Sequence, residues 1–213
     1  MSTLAGRLAA VRAALPASVT LVAVSKTQPA DAVREAYAAG QRDFGENYAQ
    51  EWRDKADALA DLGDLRWHFI GGLQTNKVKY LAGRVHTIHT VDREELAREI
   101  SKRFGQRGAT ARVFLEVNVG GEATKAGCAP ADVPRLAAAV RALPAVELLG
   151  LTCIPPPEDD PRPHFRALRA LAETLGLREL SMGMSADWPI AVAEGATVVR
   201  VGTAIFGERP RKA

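Results

Sequence analysis

TLVAVSKTQPADAVREAYAAGQRDFGEN, Thr20 to Asn47, reads as strand, turn, helix and strand again. Thr20 to Val24 is a short apolar run rich in β-branched residues, the pattern of a buried parallel strand. Ala30 to Ala39 follows with helical spacing, Asp31 near its start and Gly40 as a stop. A short strand near Asp43-Phe44 comes next. The same alternation then repeats along the chain. Further strands are expected at Arg66 to Ile70, Val85 to Val91, Arg112 to Val119, Val146 to Ile154, Glu179 to Met182 and Thr197 to Val201. Helices are expected over about 48–62, 76–81, 93–104, 132–143, 163–175 and 189–194, with Asp92 and Asp187 as N-caps for the fourth and the last of the barrel helices. Strands alternating with helices imply right-handed βαβ units and a parallel sheet. A count of eight, with no glycine-rich dinucleotide turn behind the first strand, favours a closed (β/α)8 barrel over an open doubly wound sheet. The fold class expected is α/β: one TIM barrel domain over residues 1–213, preceded by an extra amphipathic helix starting near Leu4.

The chain has 213 residues, 47% hydrophobic and 25% charged, which suits one globular domain. The formal net charge of +3 is small, and part of it lies in the tail Arg209-Pro210-Arg211-Lys212. That tail reads as a solvated terminus, so no nucleic-acid partner is expected. Cys128 and Cys153 follow no metal or redox spacing, and no run is long and apolar enough for a membrane span. With no signal-peptide pattern at the start, a cytoplasmic protein is expected.

Chemistry in a (β/α)8 barrel sits where the strands end. The residues there are Ser25-Lys26-Thr27, Gly45-Glu46-Asn47, His68 with Gly71-Gly72, Asn118, Thr152, Ser181 to Ser185, and Arg200 with Gly202-Thr203. Lys26 stands out, because an amine desolvated at a barrel mouth has a lowered pKa and a lone pair free to attack a carbonyl. The last two loops read as a phosphate cradle: glycines allow close backbone approach, and Ser185 and Thr203 can donate. Arg200 is placed inside the barrel by strand alternation. It needs an acceptor, either a ligand ring nitrogen or a structural carboxylate. His68 is either a ligand contact or a satisfied interior histidine. His86 and His89 are expected on opposite strand faces, which argues against a metal pair. His164 reads as solvated. Glu116 and Asn118 share a face of the fifth strand.

Six motifs in order carry a family resemblance: VAVSKTQPADAVREAYAAGQRDFGENYAQE, WHFIGGLQTNK, LEVNVGGEATKAG, GLTCIPP, LSMGMSADW and GATVVRVGTAIFG. Together they span about Leu21 to Gly207 and resemble the pyridoxal phosphate homeostasis proteins, the YggS/PROSC family. That resemblance implies the barrel of alanine racemase without its added β-domain, and pyridoxal 5′-phosphate (PLP) as cofactor. It makes Lys26 the Schiff-base residue and puts Asn47 in the cofactor site. It sets Ser181, Met184 through its backbone, Ser185, Gly202 and Thr203 around the phosphate, and Arg200 against the pyridine nitrogen. Lys125 matches a family lysine near the entrance. Glycine at 72, where the family often has proline or histidine, is expected to loosen the third loop.

A barrel occupies nearly all of this length, so a second domain completing a racemase site is not expected. An arginine at the ring nitrogen also disfavours its protonation and weakens the electron sink. The expected function is a monomeric PLP carrier and buffer in vitamin B6 homeostasis, meeting PLP-requiring apoenzymes transiently, with no catalytic residue and no metal. The alternatives are a PLP-dependent amino-acid racemase of low activity and a Schiff-base aldolase acting on a phosphosugar.

Overall fold

The computed structural model describes residues 3–122 and 124–208. The basic tail beginning at Arg209 lies outside these described residues. Eight parallel strands close into a barrel in chain order: β1 Thr20–Val24, β2 Asp43–Glu46, β3 Arg66–Phe69, β4 Thr87–Val91, β5 Ala111–Glu116, β6 Val146–Thr152, β7 Glu179–Ser181 and β8 Val198–Val201. Closure comes from β1 pairing with β8, with Val22 opposite Arg200. The helices are α1 Leu4–Ala13, α2 Ala30–Ala38, α3 Ala49–Ala58, α4 Val78–Leu81, α5 Glu94–Gly105, α6 Val133–Arg141, α7 Pro161–Thr174, α8 Trp188–Ala193 and α9 Thr203–Phe206.

Each long helix buries one stripe on the outside of the barrel. In α5 the stripe is Leu96, Ala97, Ile100 and Phe104, a helical spacing, with Glu94 and Glu95 in the first turn and Lys102 and Arg103 in the last to suit the dipole. In α3 it centres on Trp52, which is fully buried. Burying a side chain of that class contributes about 1.5–3 kcal/mol. Outside the barrel wall, α1 lays Leu4, Leu8 and Val11 inward, and Arg7 Nε donates to the carbonyl of Ile205 in α9 at 2.7 Å.

Inside the barrel the packing differs. A small apolar cluster of Val22, Phe114 and Val198 stands apart from the main core. Beside it run buried polar side chains: Asp43, His68, His89, Ser181 and Arg200. Barrel interiors are ordinarily filled by branched aliphatics, so this polar column is a departure that a site must explain.

Several local expectations are corrected. Arg93, not Asp92, holds the N-cap position of α5 and makes no side-chain cap; Asp92 pairs with the Arg93 guanidinium at 2.7 Å. Asp187 does precede α8, but its carboxylate turns back to accept from the Met184 N–H at 2.6 Å. β5 stops at Glu116, after which Val117 bridges to Cys128 of the following loop instead of extending the ladder. The short helix α9 was not expected. His86 and His89 do not face apart: β4 is irregular between Ile88 and Val91, and both imidazoles lie near His68, with centroids at 5.5 and 5.2 Å. A bulge breaks the two-residue alternation on which that expectation rested.

Candidate functional site

The C-terminal mouth of the barrel holds a cavity of about 310 Å³. Lys26, Asn47, Met184, Ser185, Arg200, Gly202 and Thr203 all line it, with Val24, Ile70 and Ile154 supplying apolar wall. Seven of the eight residues expected in the cofactor site are thus brought together from strands one, two, seven and eight. A larger groove of about 810 Å³ lies on the outer side of the same rim, lined by Thr27, Tyr48, Glu51 and Lys55 among others. It contains neither Lys26 nor Arg200, so the chemistry belongs to the smaller cavity.

Lys26 sits half-buried on a turn whose two flanking peptides are clamped. On one side Lys55 Nζ donates to the Ser25 carbonyl at 2.6 Å. On the other the Thr27 N–H donates to Glu51 Oε1 at 2.5 Å. Lys55 also pairs with Glu46 and Glu51, each at 2.7 Å, and Ser25 Oγ donates to Glu46 Oε1 at 2.7 Å. The clamp holds a conformation that a β-branched residue resists, for Thr27 has φ of 65°. Burial pushes the Glu46 carboxyl up, and Lys55 offsets part of that. Neither Glu51 nor Lys55 stood out in the sequence, where both look like members of a solvated helical face. Their i, i+4 spacing on α3 was the available signal.

Asn47 follows β2, and its backbone is packed hard against the third loop. A Cβ at Gly71 would lie 2.1 Å from the Asn47 carbonyl oxygen. The constraint therefore sits at Gly71; the neighbouring Gly72, expected to loosen this loop, opens onto free space. The Thr27 hydroxyl and the Asn47 side-chain oxygen are buried without a hydrogen-bond partner among the described residues. Such groups ordinarily have one; of the two, only Asn47 belongs to the lining of the cavity that holds Lys26.

The seventh and eighth loops form the other wall. Gly183 has φ of 93° and lies against α8, where a Cβ would come within 2.6 Å of Ala191. The Gly202 N–H donates to Ser185 Oγ at 3.3 Å, and Gly202 is the N-cap of α9. The first N–H groups of any helix lack intrahelical partners, so hydroxyls, glycines and a helix start converge here. The expected backbone role of Met184 needs correction, since its N–H is already taken by Asp187.

Ser181 is also corrected. It is fully buried behind the cavity rather than on the phosphate wall. Its hydroxyl accepts from Arg200 Nη1 at 2.6 Å and lies 2.8 Å from His89 Nδ1. Arg200 Nη1 also reaches Thr152 Oγ1 at 2.9 Å and the Ser181 carbonyl at 2.6 Å, while Nη2 donates to the Cys153 carbonyl at 2.9 Å. No carboxylate pairs with Arg200 among the described residues. Its Nε makes no hydrogen bond among them either, so this buried side chain, which lines the cavity, keeps a donor without a protein acceptor. Glu116 lies close enough to Arg200 to feel its charge, yet burial first and Asp92 second push its carboxyl up to about 7. Burial likewise holds the thiols of Cys128 and Cys153 up to about 11 and 12. They are not nucleophiles at neutral pH.

His68 is a satisfied interior histidine, bonded to Asp43 and His89 at 2.9 Å each. His164 pairs with Asp159 at 2.9 Å on the surface. Lys125 pairs with Glu122 at 2.6 Å and donates to the Pro155 carbonyl at 3.3 Å. Asn118 donates to the Glu122 carbonyl at 2.8 Å, away from the cavity. No helix among the described residues is long and apolar enough to cross a membrane, and they contain no cluster suited to a metal ion.

The model of the alanine racemase N-terminal domain matches residues 1–210. A pyridoxal phosphate homeostasis protein of Pseudomonas aeruginosa is 49% identical, with 98% of this chain and 97% of that protein covered. PipY of Synechococcus elongatus, solved with PLP bound, superposes with a TM-score of 0.90 at 43% identity, covering 96% of this chain and 100% of that one. An alanine racemase of Clostridium difficile has a TM-score of 0.78 at 15% identity and shares the fold over 98% of this chain but only 57% of its own. Sharing the barrel of the alanine racemase N-terminal domain, the chain belongs to the family of pyridoxal phosphate homeostasis proteins.

Proposed function

We propose that this protein binds PLP at the C-terminal mouth of its barrel, holds it as a Schiff base on Lys26, and serves PLP homeostasis as a carrier and buffer. The observation that carries the reading is the convergence of Lys26, Arg200, Ser185, Gly202 and Thr203 on one cavity of about 310 Å³. When bound, the cofactor supplies an aldehyde that an amine holds reversibly. The chain's own residues supply the rest. The Lys55–Glu51 clamp fixes the peptides on either side of Lys26, so the amine is presented from a defined turn. Arg200 offers a donor to the ring nitrogen and disfavours a proton there. Ser185, Gly202 and Thr203 receive the phosphate, and Asn47 borders the ring.

The carrier reading is favoured over a racemase by what lines the cavity. Racemisation needs an acid on the face opposite the lysine. Among the described lining residues the ionisable side chains are Lys26 and Arg200 alone. The Pseudomonas aeruginosa relative, matched over 97% of its length, bears the homeostasis name at this chain's size.

The test is absorbance and borohydride reduction of the PLP-loaded protein, followed by peptide mapping. One pyridoxyl group fixed on Lys26 is expected, and none in Lys26→Ala. The same trapped cofactor in Lys26→Ala refutes the assignment. Incubation with L-alanine in deuterated water decides the enzymatic question. Lys26-dependent deuterium uptake at Cα near the enzyme median of about 10 s⁻¹ would make the racemase reading the correct one.

A further inference from the structure

The polar column inside the barrel is one continuous line of hydrogen bonds. At the N-terminal mouth, a cavity of about 410 Å³ includes Arg66, Asp43 and His68 in its lining. Arg66 grips the Asp43 carboxylate through two bonds, at 2.8 and 2.6 Å. Asp43 Oδ1 lies 2.9 Å from His68 Nε2, and His68 Nδ1 lies 2.9 Å from His89 Nε2. His89 Nδ1 lies 2.8 Å from Ser181 Oγ, which accepts from Arg200 Nη1 at 2.6 Å. Five strands contribute: β3 gives Arg66 and His68, and β2, β4, β7 and β8 give one member each. The line begins at one end of the barrel and finishes at the cofactor cavity.

Its direction is fixed by chemistry. The Asp43 carboxylate only accepts, so a neutral His68 donates to it from Nε2 and accepts at Nδ1 from a neutral His89, whose own Nδ1 is then an acceptor. At the other end a guanidinium only donates, so Ser181 Oγ accepts from Arg200 and has its own proton to give. The acceptor in line is His89 Nδ1. His89 then carries its proton on Nε2 and donates to His68 Nδ1, and His68 carries its proton on Nε2 and donates to Asp43. The carboxylate, an acceptor only, ends the line. Every proton points away from the cofactor cavity, and a chain of bonds aligned in one sense is mutually polarising. Two further observations agree. His89 is stacked on Phe114, centroids 4.6 Å apart, so its ring is fixed in plane as well as by both nitrogens. Burial, the largest cause, with the fixed charge of Arg200 adding to it, holds its imidazole well below the usual histidine range, so it is neutral as the line requires. For Asp43 burial pushes upward, but the bonds from Arg66 and His68 prevail and hold it ionised.

We propose that Asp43, His68, His89 and Ser181 form a one-way hydrogen-bonded relay that orients Arg200 toward the cofactor's ring nitrogen, making His68 and His89 positioning residues. This rests on the PLP reading above for the identity of the ring, but not for the relay itself. Among the described residues no carboxylate is ion-paired with Arg200. The relay gives it an ordered line of dipoles ending on the Asp43 anion, and engages Nη1 while Nε keeps no protein acceptor among the described residues.

The test has an arm that needs no cofactor. In the apoprotein, ¹⁵N NMR of the imidazoles should show His68 and His89 as neutral Nε2–H tautomers, and the Arg200 guanidinium should be protected from exchange. His89→Phe preserves the stack on Phe114 and cuts the relay; Arg200 protection should fall at least tenfold. His89→Gln, which keeps a donor and an acceptor, should restore it to within threefold. With PLP, His89→Phe should bind about tenfold more weakly with a shifted visible band, while borohydride still fixes the cofactor on Lys26. Should His89→Phe fold poorly, Ser181→Ala cuts the same line by removing one hydroxyl, and the same losses are expected. A protonated or Nδ1–H His89, or unchanged Arg200 protection in both variants, overturns the relay. Failure to trap PLP in the unaltered protein overturns the PLP reading instead and leaves the Arg200 result to decide the relay.

Discussion

Replacing Lys55 by methionine tests the idea that the turn carrying Lys26 is clamped by charge. Methionine fills similar space but cannot donate. Three bonds are lost, to the Ser25 carbonyl at 2.6 Å and to Glu46 and Glu51 at 2.7 Å each. The Glu51 side chain is 25% exposed and can turn to water, but that of Glu46 is 0% exposed. Glu46 would keep only the bond from Ser25 Oγ, its other oxygen already having no partner among the described residues. Removing one partner of a buried pair costs about 3–5 kcal/mol. In a domain of this size that lowers Tm by roughly 6–20 °C.

The loss should depend on pH. Burial raises the Glu46 carboxyl above its ordinary pKa in the folded protein, so the folded state binds its proton more tightly than the unfolded chain does. Between those two pKa values stability falls as pH rises, and losing Lys55 widens the window. Lys55→Met should therefore be more damaging at pH 8 than at pH 5.5 in urea melts. Adding Glu46→Gln should recover more than half of the loss at pH 8. Equal losses at both pH values, with no recovery in the double variant, would refute the argument.

Two further outcomes are expected. Glu116, pushed up to about 7 by burial, imposes a penalty that grows as pH rises from the ordinary carboxylate range through 7; Glu116→Gln should flatten that decline, which is about 3 kcal/mol at 1.36 kcal/mol per pKa unit, in denaturant titrations across pH. Gly183→Ala forces a side chain to φ of 93° and within 2.9 Å of the Trp188 Cα, so α8 must shift. It should destabilise by roughly 2–5 kcal/mol in thermal melts, and weaken PLP more than tenfold by spectroscopic titration with Lys26 still the residue trapped.

The sequence by itself determined the barrel and most of its mouth. Alternation of apolar runs with helical stripes is a local property, readable residue by residue, and the positions behind each strand follow from it. Lys26 after TLVAV, and Arg200 two residues before Gly202, needed only that logic. What tertiary structure alone decided were the contacts between strands far apart in the chain. Ser181 was expected at the phosphate, yet the register of β7 with β8 turns its hydroxyl to Arg200 and His89 instead. His86 and His89 were expected to face apart, yet the irregularity in β4 brings both beside His68. Lys55 carries no signal of its own in the sequence; only the packing of α3 against the end of β1, 30 residues away, buries its charge. Side-chain period survives in sequence because it is set by the backbone of one strand or helix. Partners across a closed barrel are set by shear, bulges and loop geometry, which no single segment encodes.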